Sequence, residues 1–154
     1  MQSAHVANAE ETRKFAAEFV GNVTPYANAA TVVALSGQLG AGKTTFVQAA
    51  AKALGVAETV NSPTFVIEKI YSLEDQTWDR LVHIDAYRLT NAEELRHLGW
   101  SELVTDGGNI ILIEWPEHVE GAIPEGAHRV SIEIPSTKLG TSGDGDARTI
   151  TYGG

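Results

Sequence analysis

The chain has 154 residues, 43% of them hydrophobic, which is enough for one hydrophobic core, so we expect a single domain spanning residues 1–154. The formal net charge of −9 argues against binding nucleic acid mainly by phosphate neutralisation, because that mode needs a basic surface. The lack of cysteine excludes disulfides and thiolate metal sites. Residues 1–11 show no signal-peptide pattern, and no apolar run approaches the roughly 20 residues of a membrane span. We therefore expect a cytoplasmic protein.

Helix and strand patterns alternate in the first third of the chain. In residues 9–20 apolar side chains recur at helical spacing after two glutamates, which suit the positive end of a helix dipole. Residues 30–35 are continuously apolar, which predicts a strand buried on both faces of a sheet. Residues 44–54 again show helical spacing, and Gly55 is well placed to end that helix.

The remainder of the chain predicts more strands and one more helix. Asn91 is a predicted N-cap for a helix at 93–98, which Gly99 closes. Residues 140–146 are rich in Gly, Ser and Asp and predict a mobile loop. Strands are predicted at 65–71, 81–85, 109–114, 130–134 and 148–152. The first two of these strands form a hairpin, and the whole pattern predicts an α/β domain with a mixed sheet.

The segment Gly-Gln-Leu-Gly-Ala-Gly-Lys-Thr at 37–44 matches the phosphate-binding pattern G-x-x-x-x-G-K-[ST], and it lies between a predicted strand and a predicted helix, as that pattern requires. Glycines let the backbone approach an anion closely, and the helix N-terminus adds N–H donors and positive potential. Lys43 is expected to reach the β- and γ-phosphates of ATP, and the Thr44 hydroxyl to bind Mg²⁺. The residues predicted to contact phosphates are Gly37, Gly40, Ala41, Gly42, Lys43, Thr44 and Thr45. A glycine-rich turn before an ordinary helix is the alternative, but it leaves the joint match of strand, lysine, hydroxyl and helix unexplained.

With this motif the expected fold becomes specific: an α/β, P-loop NTPase-like arrangement of three layers, with helices on both faces of a mixed, mainly parallel central sheet. A P-loop also needs an acid at the end of a neighbouring strand to orient Mg²⁺. Two are available, since Asp85 and Glu114 each follow an apolar strand. One would bind the ion or its water shell and the other would position the attacking water, and the sequence leaves open which does which. Each acid could also simply end a strand at the solvent edge.

Three further residues have competing interpretations. Thr64, in Ser-Pro-Thr at 62–64, is either a turn residue or a switch-type hydroxyl that senses the γ-phosphate, and the pattern alone favours the turn. His83 is interpreted as a packed or hydrogen-bonded histidine rather than a base. Trp115 is either core or a wall beside the nucleotide, whereas Trp78 and Trp100 are assigned to the core.

Five motifs in order resemble the bacterial TsaE proteins, formerly called YjeE. They are Gly-Gln-Leu-Gly-Ala-Gly-Lys-Thr-Thr (37–45), Asn-Ser-Pro-Thr-Phe (61–65), His-Ile-Asp-Ala-Tyr-Arg-Leu (83–89), Glu-Glu-Leu (93–95) and Ile-Glu-Trp-Pro-Glu (113–117). The resemblance implies an ATPase that works with TsaB and TsaD to place a threonylcarbamoyl group on N6 of adenosine 37 in tRNAs reading codons that begin with A. It implies that ATP hydrolysis resets the TsaB–TsaD complex, and that tRNA is met only through that complex.

The same resemblance assigns roles to individual residues. It implies that Gly40, Gly42, Lys43, Thr44 and Thr45 bind ATP phosphates. It gives Thr44 and Glu114 to Mg²⁺, with Asp85 as a further acid, Thr64 as a switch residue and Trp115 as part of the site wall. It also suggests nucleotide contacts from Thr12 and from Arg148.

Two other functions fit a P-loop. A small kinase would deliver the γ-phosphate to a metabolite, but it usually needs a cationic lid, and the chain has only 11 Lys and Arg and no long basic insertion. A nucleotide-dependent binding module would hydrolyse ATP hardly at all on its own. The absence of an Asn-Lys-x-Asp motif favours ATP over GTP.

Overall fold

The fold is taken from a computed structural model of the chain, which describes residues 1–38, 40–58, 60, 67–135 and 147–153. Several sequence predictions lie outside these residues. They are the switch role of Thr64, the turn at 61–64, the start of the strand predicted at 65–71 and the loop at 140–146. In the described part of the chain no helix is long and apolar enough to cross a membrane.

Twelve elements follow one another in the part of the chain that the structure describes. The strands are β1 Gln2–Val6, β2 Thr31–Gly37, β3 Glu68–Ser72, β4 Arg80–Asp85, β5 Asn109–Glu114, β6 His128–Glu133 and β7 Arg148–Gly153. The helices are α1 Ala9–Asn22, α2 Lys43–Ala53, α3 Ala92–Arg96 and α4 Trp100–Val104, and a 3₁₀ helix spans Pro116–Ala122. The predicted elements are confirmed with small shifts at their ends, whereas β1, α4 and the 3₁₀ helix were not predicted.

The strands form one sheet in the order β1-β7-β6-β2-β5-β4-β3. The four central strands β6, β2, β5 and β4 are parallel. The outer pairings β1–β7, β7–β6 and β4–β3 are antiparallel, and the β3–β4 pair is the predicted hairpin. The predicted mixed sheet is therefore confirmed, with its parallel part confined to the centre.

Strands β2 and β5 are buried because helices cover both faces of the sheet. Every residue of β5 is buried, as are the first five of β2, which explains their continuous apolar sequence. On one face Leu35 and Leu112 share a core with Phe46 of α2. On the other face Ile113 shares a core with Trp100 of α4. The result is the three-layer α/β arrangement expected from the sequence.

Capping explains where the helices begin. The Asn8 side chain accepts a hydrogen bond from the Glu11 amide, and Asn91 does the same for Glu94, both at 3.0 Å. Helix α2 differs, since its N-cap is Gly42, with φ 110°, and no side chain caps it. Its first N–H groups therefore remain available for another acceptor.

Candidate functional site

The loop between β2 and α2 needs glycine for steric reasons at its first position. A Cβ on Gly37 would lie 2.6 Å from the Ile132 carbonyl oxygen of the neighbouring strand β6. Gly40 and Gly42 have φ of 81° and 110°, a region that L side chains rarely adopt. The loop can thus curl tightly at the carboxyl end of β2 and present the uncapped start of α2.

Lys43 is a buried cation at this helix start. Lys43 is only 6% exposed, and its Nζ donates a hydrogen bond of 2.5 Å to the Gly37 carbonyl. Nζ also lies 3.5 Å from the centroid of the Trp115 ring, in cation–π geometry. Burial lowers the pKa of Lys43, opposed by the negative charges of Glu114, Glu117 and Asp85.

Lys43 has no ion-pair partner in the described part of the chain, where no carboxylate oxygen lies within ion-pair distance of Nζ. A buried cation is costly unless a partner compensates it. The loop, the helix start and Lys43 together therefore form a site that favours an anion.

The two predicted acids lie side by side. In the parallel pairing of β4 with β5, Asp85 stands opposite Glu114, and Leu35 of β2 is the partner of Glu114 on its other side. Both acids thus sit at the strand ends that border the loop. Burial raises the pKa of Asp85, opposed by a hydrogen bond of 3.0 Å that its Oδ1 accepts from the Tyr87 amide, and the charge of Glu114 raises it further.

Glu114 has a partner that the sequence did not reveal. It is only 3% exposed, and its Oε2 lies 2.7 Å from Nε2 of His83, which is 1% exposed. The interpretation of His83 as a hydrogen-bonded histidine is therefore confirmed. Its partner, however, is one of the two site acids, and recognising this required the register of β4 against β5.

These parts surround a cleft of about 350 Å³. The cleft is lined by Gly40, Gly42, Lys43, Thr44, Thr45, Asp85, Tyr87, Glu114 and Trp115. Eight of these nine residues were predicted, and the ninth, Tyr87, follows Asp85 by two positions within the motif at 83–89. The structure therefore brings these eight predicted residues together, whereas Gly37 and Ala41 of the predicted phosphate loop do not line the cleft.

Trp115 forms the wall on one side of Lys43. Its backbone is left-handed, with φ 59° and ψ 49°, a conformation that costs a bulky residue about 1–2 kcal/mol. Its ring contacts Tyr87 and His118, with centroids 5.1 Å and 5.5 Å away. Neighbouring side chains hold the ring beside the cleft, which supports the interpretation of Trp115 as a lining residue.

Arg148 reaches the loop from β7. Its Nε donates to the Ala41 carbonyl at 2.9 Å, and a second guanidinium nitrogen donates to the Gly40 carbonyl at 3.1 Å. Arg148 is thus brought to the predicted nucleotide loop, where its described contacts are with the protein backbone. The contact of Arg148 with nucleotide stays a prediction.

Thr12 is not brought to the cleft. It is 2% exposed in the first turn of α1, and its hydroxyl donates to the Asn8 carbonyl at 3.4 Å. It is absent from the residues that line the cleft. The assignment of Thr12 to nucleotide binding thus gains no support from this geometry.

The donor set fits magnesium. Thr44, Asp85 and Glu114 all line the cleft, and they offer hydroxyl and carboxylate oxygens, the hard ligands that Mg²⁺ prefers. Among the residues that the structure describes, no three His, Asp or Glu side chains form a metal cluster of their own. Mg²⁺ beside phosphates usually keeps several waters and binds only one or two protein carboxylates, which fits this small set of donors.

A scan against protein families matches residues 6–142 to the family described as threonylcarbamoyl adenosine biosynthesis protein TsaE. The chain belongs to the TsaE family. TsaE of Bacillus subtilis is 37% identical over 145 residues, covering 94% of this chain and 80% of the relative. TsaE of Rickettsia typhi is 36% identical over 132 residues, covering 84% and 85%.

A solved structure shares the fold of this chain. The crystal structure of Bacillus subtilis YdiB superposes with a TM-score of 0.72 at 31% identity, covering 98% of this chain and 83% of that chain. The TsaE match at 6–142 includes all nine residues that line the cleft. Arg148 lies beyond the matched residues, so its contact with the loop rests on the geometry alone.

Proposed function

We propose that this chain is an ATP-hydrolysing TsaE subunit in the formation of N6-threonylcarbamoyladenosine at position 37 of tRNAs that read codons beginning with A. The observation that best supports this proposal is the environment of Lys43. It is a buried cation without a carboxylate partner among the described residues, and it lies in a glycine loop beside two acids at strand ends. The TsaE relatives are named as tRNA threonylcarbamoyladenosine biosynthesis proteins, which supports this pathway. Such a role would place the protein in the cytoplasm, where tRNA is modified.

In the proposed reaction the loop amides and the start of α2 hold the phosphates of ATP. Lys43 exchanges the Gly37 carbonyl for the β- and γ-phosphates, where its charge stabilises the transition state. Bound magnesium would neutralise phosphate charge, with Thr44 and one of the two acids as its protein-side donors. Of Asp85 and Glu114, one acid binds the ion or its water and the other orients the attacking water.

We further propose that hydrolysis resets a TsaB–TsaD complex and that tRNA is met only through that complex. The charge of −9 supports an indirect role, because a strongly acidic chain attracts phosphate backbones poorly. Thr64, which lies outside the described residues, keeps its proposed role as the γ-phosphate switch.

The test is phosphate release from ATP by the full chain, alone and with purified TsaB and TsaD. We expect slow turnover alone and a marked rise with both partners, while GTP supports little turnover. The released product should be inorganic phosphate. Transfer of the phosphate to a metabolite would favour the kinase alternative, and no rise with an active TsaB–TsaD pair would contradict the proposal.

A further inference from the structure

His83 and Glu114 are diagonal neighbours on one face of the sheet. In the β4–β5 register His83 pairs with Leu112 and Asp85 with Glu114, so side chains two residues apart point to the same side. Diagonal pairs of this kind lie within reach of long or aromatic side chains. This face is the one that α2 covers, since Leu81 and Leu112 share a core with Phe46.

The contact between them assigns the histidine proton. Glu114 Oε2 and His83 Nε2 are 2.7 Å apart, and a carboxylate accepts rather than donates, so Nε2 carries the hydrogen. Nδ1 is buried and has no hydrogen-bond partner among the described residues, so a proton there would be unsatisfied. His83 therefore donates a hydrogen bond from Nε2 to one carboxylate oxygen of Glu114.

Glu114 has a competing attraction. Among the negative charges that raise the pKa of Lys43, that of Glu114 has the largest effect, yet the two side chains form no ion pair. Lys43 instead donates to the Gly37 carbonyl, and Glu114 accepts from His83. If His83 were not donating, the carboxylate would be free to turn towards the buried ammonium group.

We propose that His83 is a positioning residue that keeps Glu114 apart from Lys43, so that the carboxylate stays available for magnesium and the ammonium group for phosphate. This inference rests on the proposed function. A donor behind a metal-binding carboxylate typically matters by about 10- to 100-fold in metal affinity. Loss of His83 should therefore reduce the increase in nucleotide affinity that Mg²⁺ produces.

The experiment compares His83→Gln with His83→Asn in the full chain. The Gln amide nitrogen can stand near the Nε2 position and donate to Glu114, whereas the shorter Asn amide stands near the Nδ1 position and falls short. Calorimetry would measure the dissociation constant of ADP with Mg²⁺ and with EDTA. The ratio of the dissociation constant with Mg²⁺ to the dissociation constant with EDTA isolates the contribution of the metal.

A structural control is available at the amino end of β2, away from the cleft. Thr31→Val removes another buried hydrogen bond, in which Trp78 Nε1 donates to the Thr31 hydroxyl at 3.1 Å. We expect this variant to lower the melting temperature and to leave the Mg²⁺-to-EDTA ratio unchanged. His83→Asn should raise this ratio of dissociation constants about tenfold, and His83→Gln should keep it close to the wild-type value.

Equal ratios in His83→Asn, His83→Gln and the wild type would overturn the positioning role, even if both variants were less stable. A different result identifies failure of the underlying function: a folded wild type that binds ADP neither with Mg²⁺ nor with EDTA. The two failures are distinguishable. Failure of the positioning role still gives measurable ratios in all three proteins, whereas failure of the proposed function gives a wild type with no ADP binding to measure.

Discussion

At the scale of single residues, Lys43 can be tested against a second lysine in the same helix. Lys43→Ala removes a buried cation from the proposed phosphate site, and a hydrogen bond to a charged group contributes about 1.5–3 kcal/mol. We expect ADP affinity to fall about 10- to 100-fold in calorimetry. Lys52→Ala, on the exposed last turn of α2, should bind as the wild type does. Unchanged affinity and hydrolysis in Lys43→Ala would remove Lys43 from the site.

Arg148 poses a different question, namely whether it serves the loop or the ligand. Because it donates to the Gly40 and Ala41 carbonyls, Arg148→Ala should loosen the loop before any nucleotide binds. Arg148→Lys should do the same, since an ammonium group keeps the charge but loses the planar fork. Hydrogen exchange of the nucleotide-free protein should accelerate at residues 40–43. Wild-type exchange there, with weakened nucleotide binding, would instead indicate a contact with ligand only.

At the scale of elements, the close approach of β2 to β6 predicts an asymmetry between two glycines. Gly37→Ala would place a methyl group 2.6 Å from the Ile132 carbonyl, and overpacking of this kind typically costs about 1–3 kcal/mol. Gly21, in the exposed end of α1, has no atom within 4 Å of its would-be Cβ. Gly21→Ala should therefore gain up to about 1 kcal/mol of helix stability. Urea unfolding measures both, and equal effects would contradict the close contact.

The elements that could be predicted are those whose environment is uniform along the strand or helix. Strand β5 is buried throughout, so its apolar run was unambiguous. Strand β1 was missed because four of its five residues are not buried, and its extended state comes from pairing with β7 at the far end of the chain. Helix α4 has five residues, too few for a periodic pattern.

In the site, too, residues were predictable where the neighbouring sequence indicates them, and contacts between residues far apart in the chain were not. Asp85 and Glu114 were predictable because parallel strands end at one edge of a sheet, and each acid directly follows an apolar strand. The His83–Glu114 contact depends on register, which sequence patterns do not specify for two buried strands. The contacts of Arg148 with the loop join residues 107 and 108 positions apart, with no intervening pattern to connect them.

At the scale of the whole molecule, His128 links stability to pH. It begins β6 and packs edge-on against Phe19, with ring centroids 6.0 Å apart. Burial lowers its pKa in the folded chain, whereas the unfolded chain has an ordinary histidine pKa of about 6.5. Between these values the unfolded state binds more protons, so stability should fall as pH drops through about 6.5.

The expected outcome is a free energy of unfolding that decreases from pH 7.5 to pH 5.5 in urea titrations. His128→Gln removes the titrating ring and should flatten this dependence. His97→Gln changes an exposed ring and should leave the slope as in the wild type. A His128→Gln protein with the full wild-type slope would assign the pH dependence to other groups.

The order of strands also has a consequence for synthesis on the ribosome. In the described sheet β1 pairs with β7 alone, so β1 stays unpaired until β7 has been synthesised. The Arg148 guanidinium group, which donates to the Gly40 and Ala41 carbonyls, also belongs to β7. During synthesis β1 therefore stays unpaired, and the Gly40 and Ala41 carbonyls stay without Arg148, until β7 has been made, so that both contacts form in one late step.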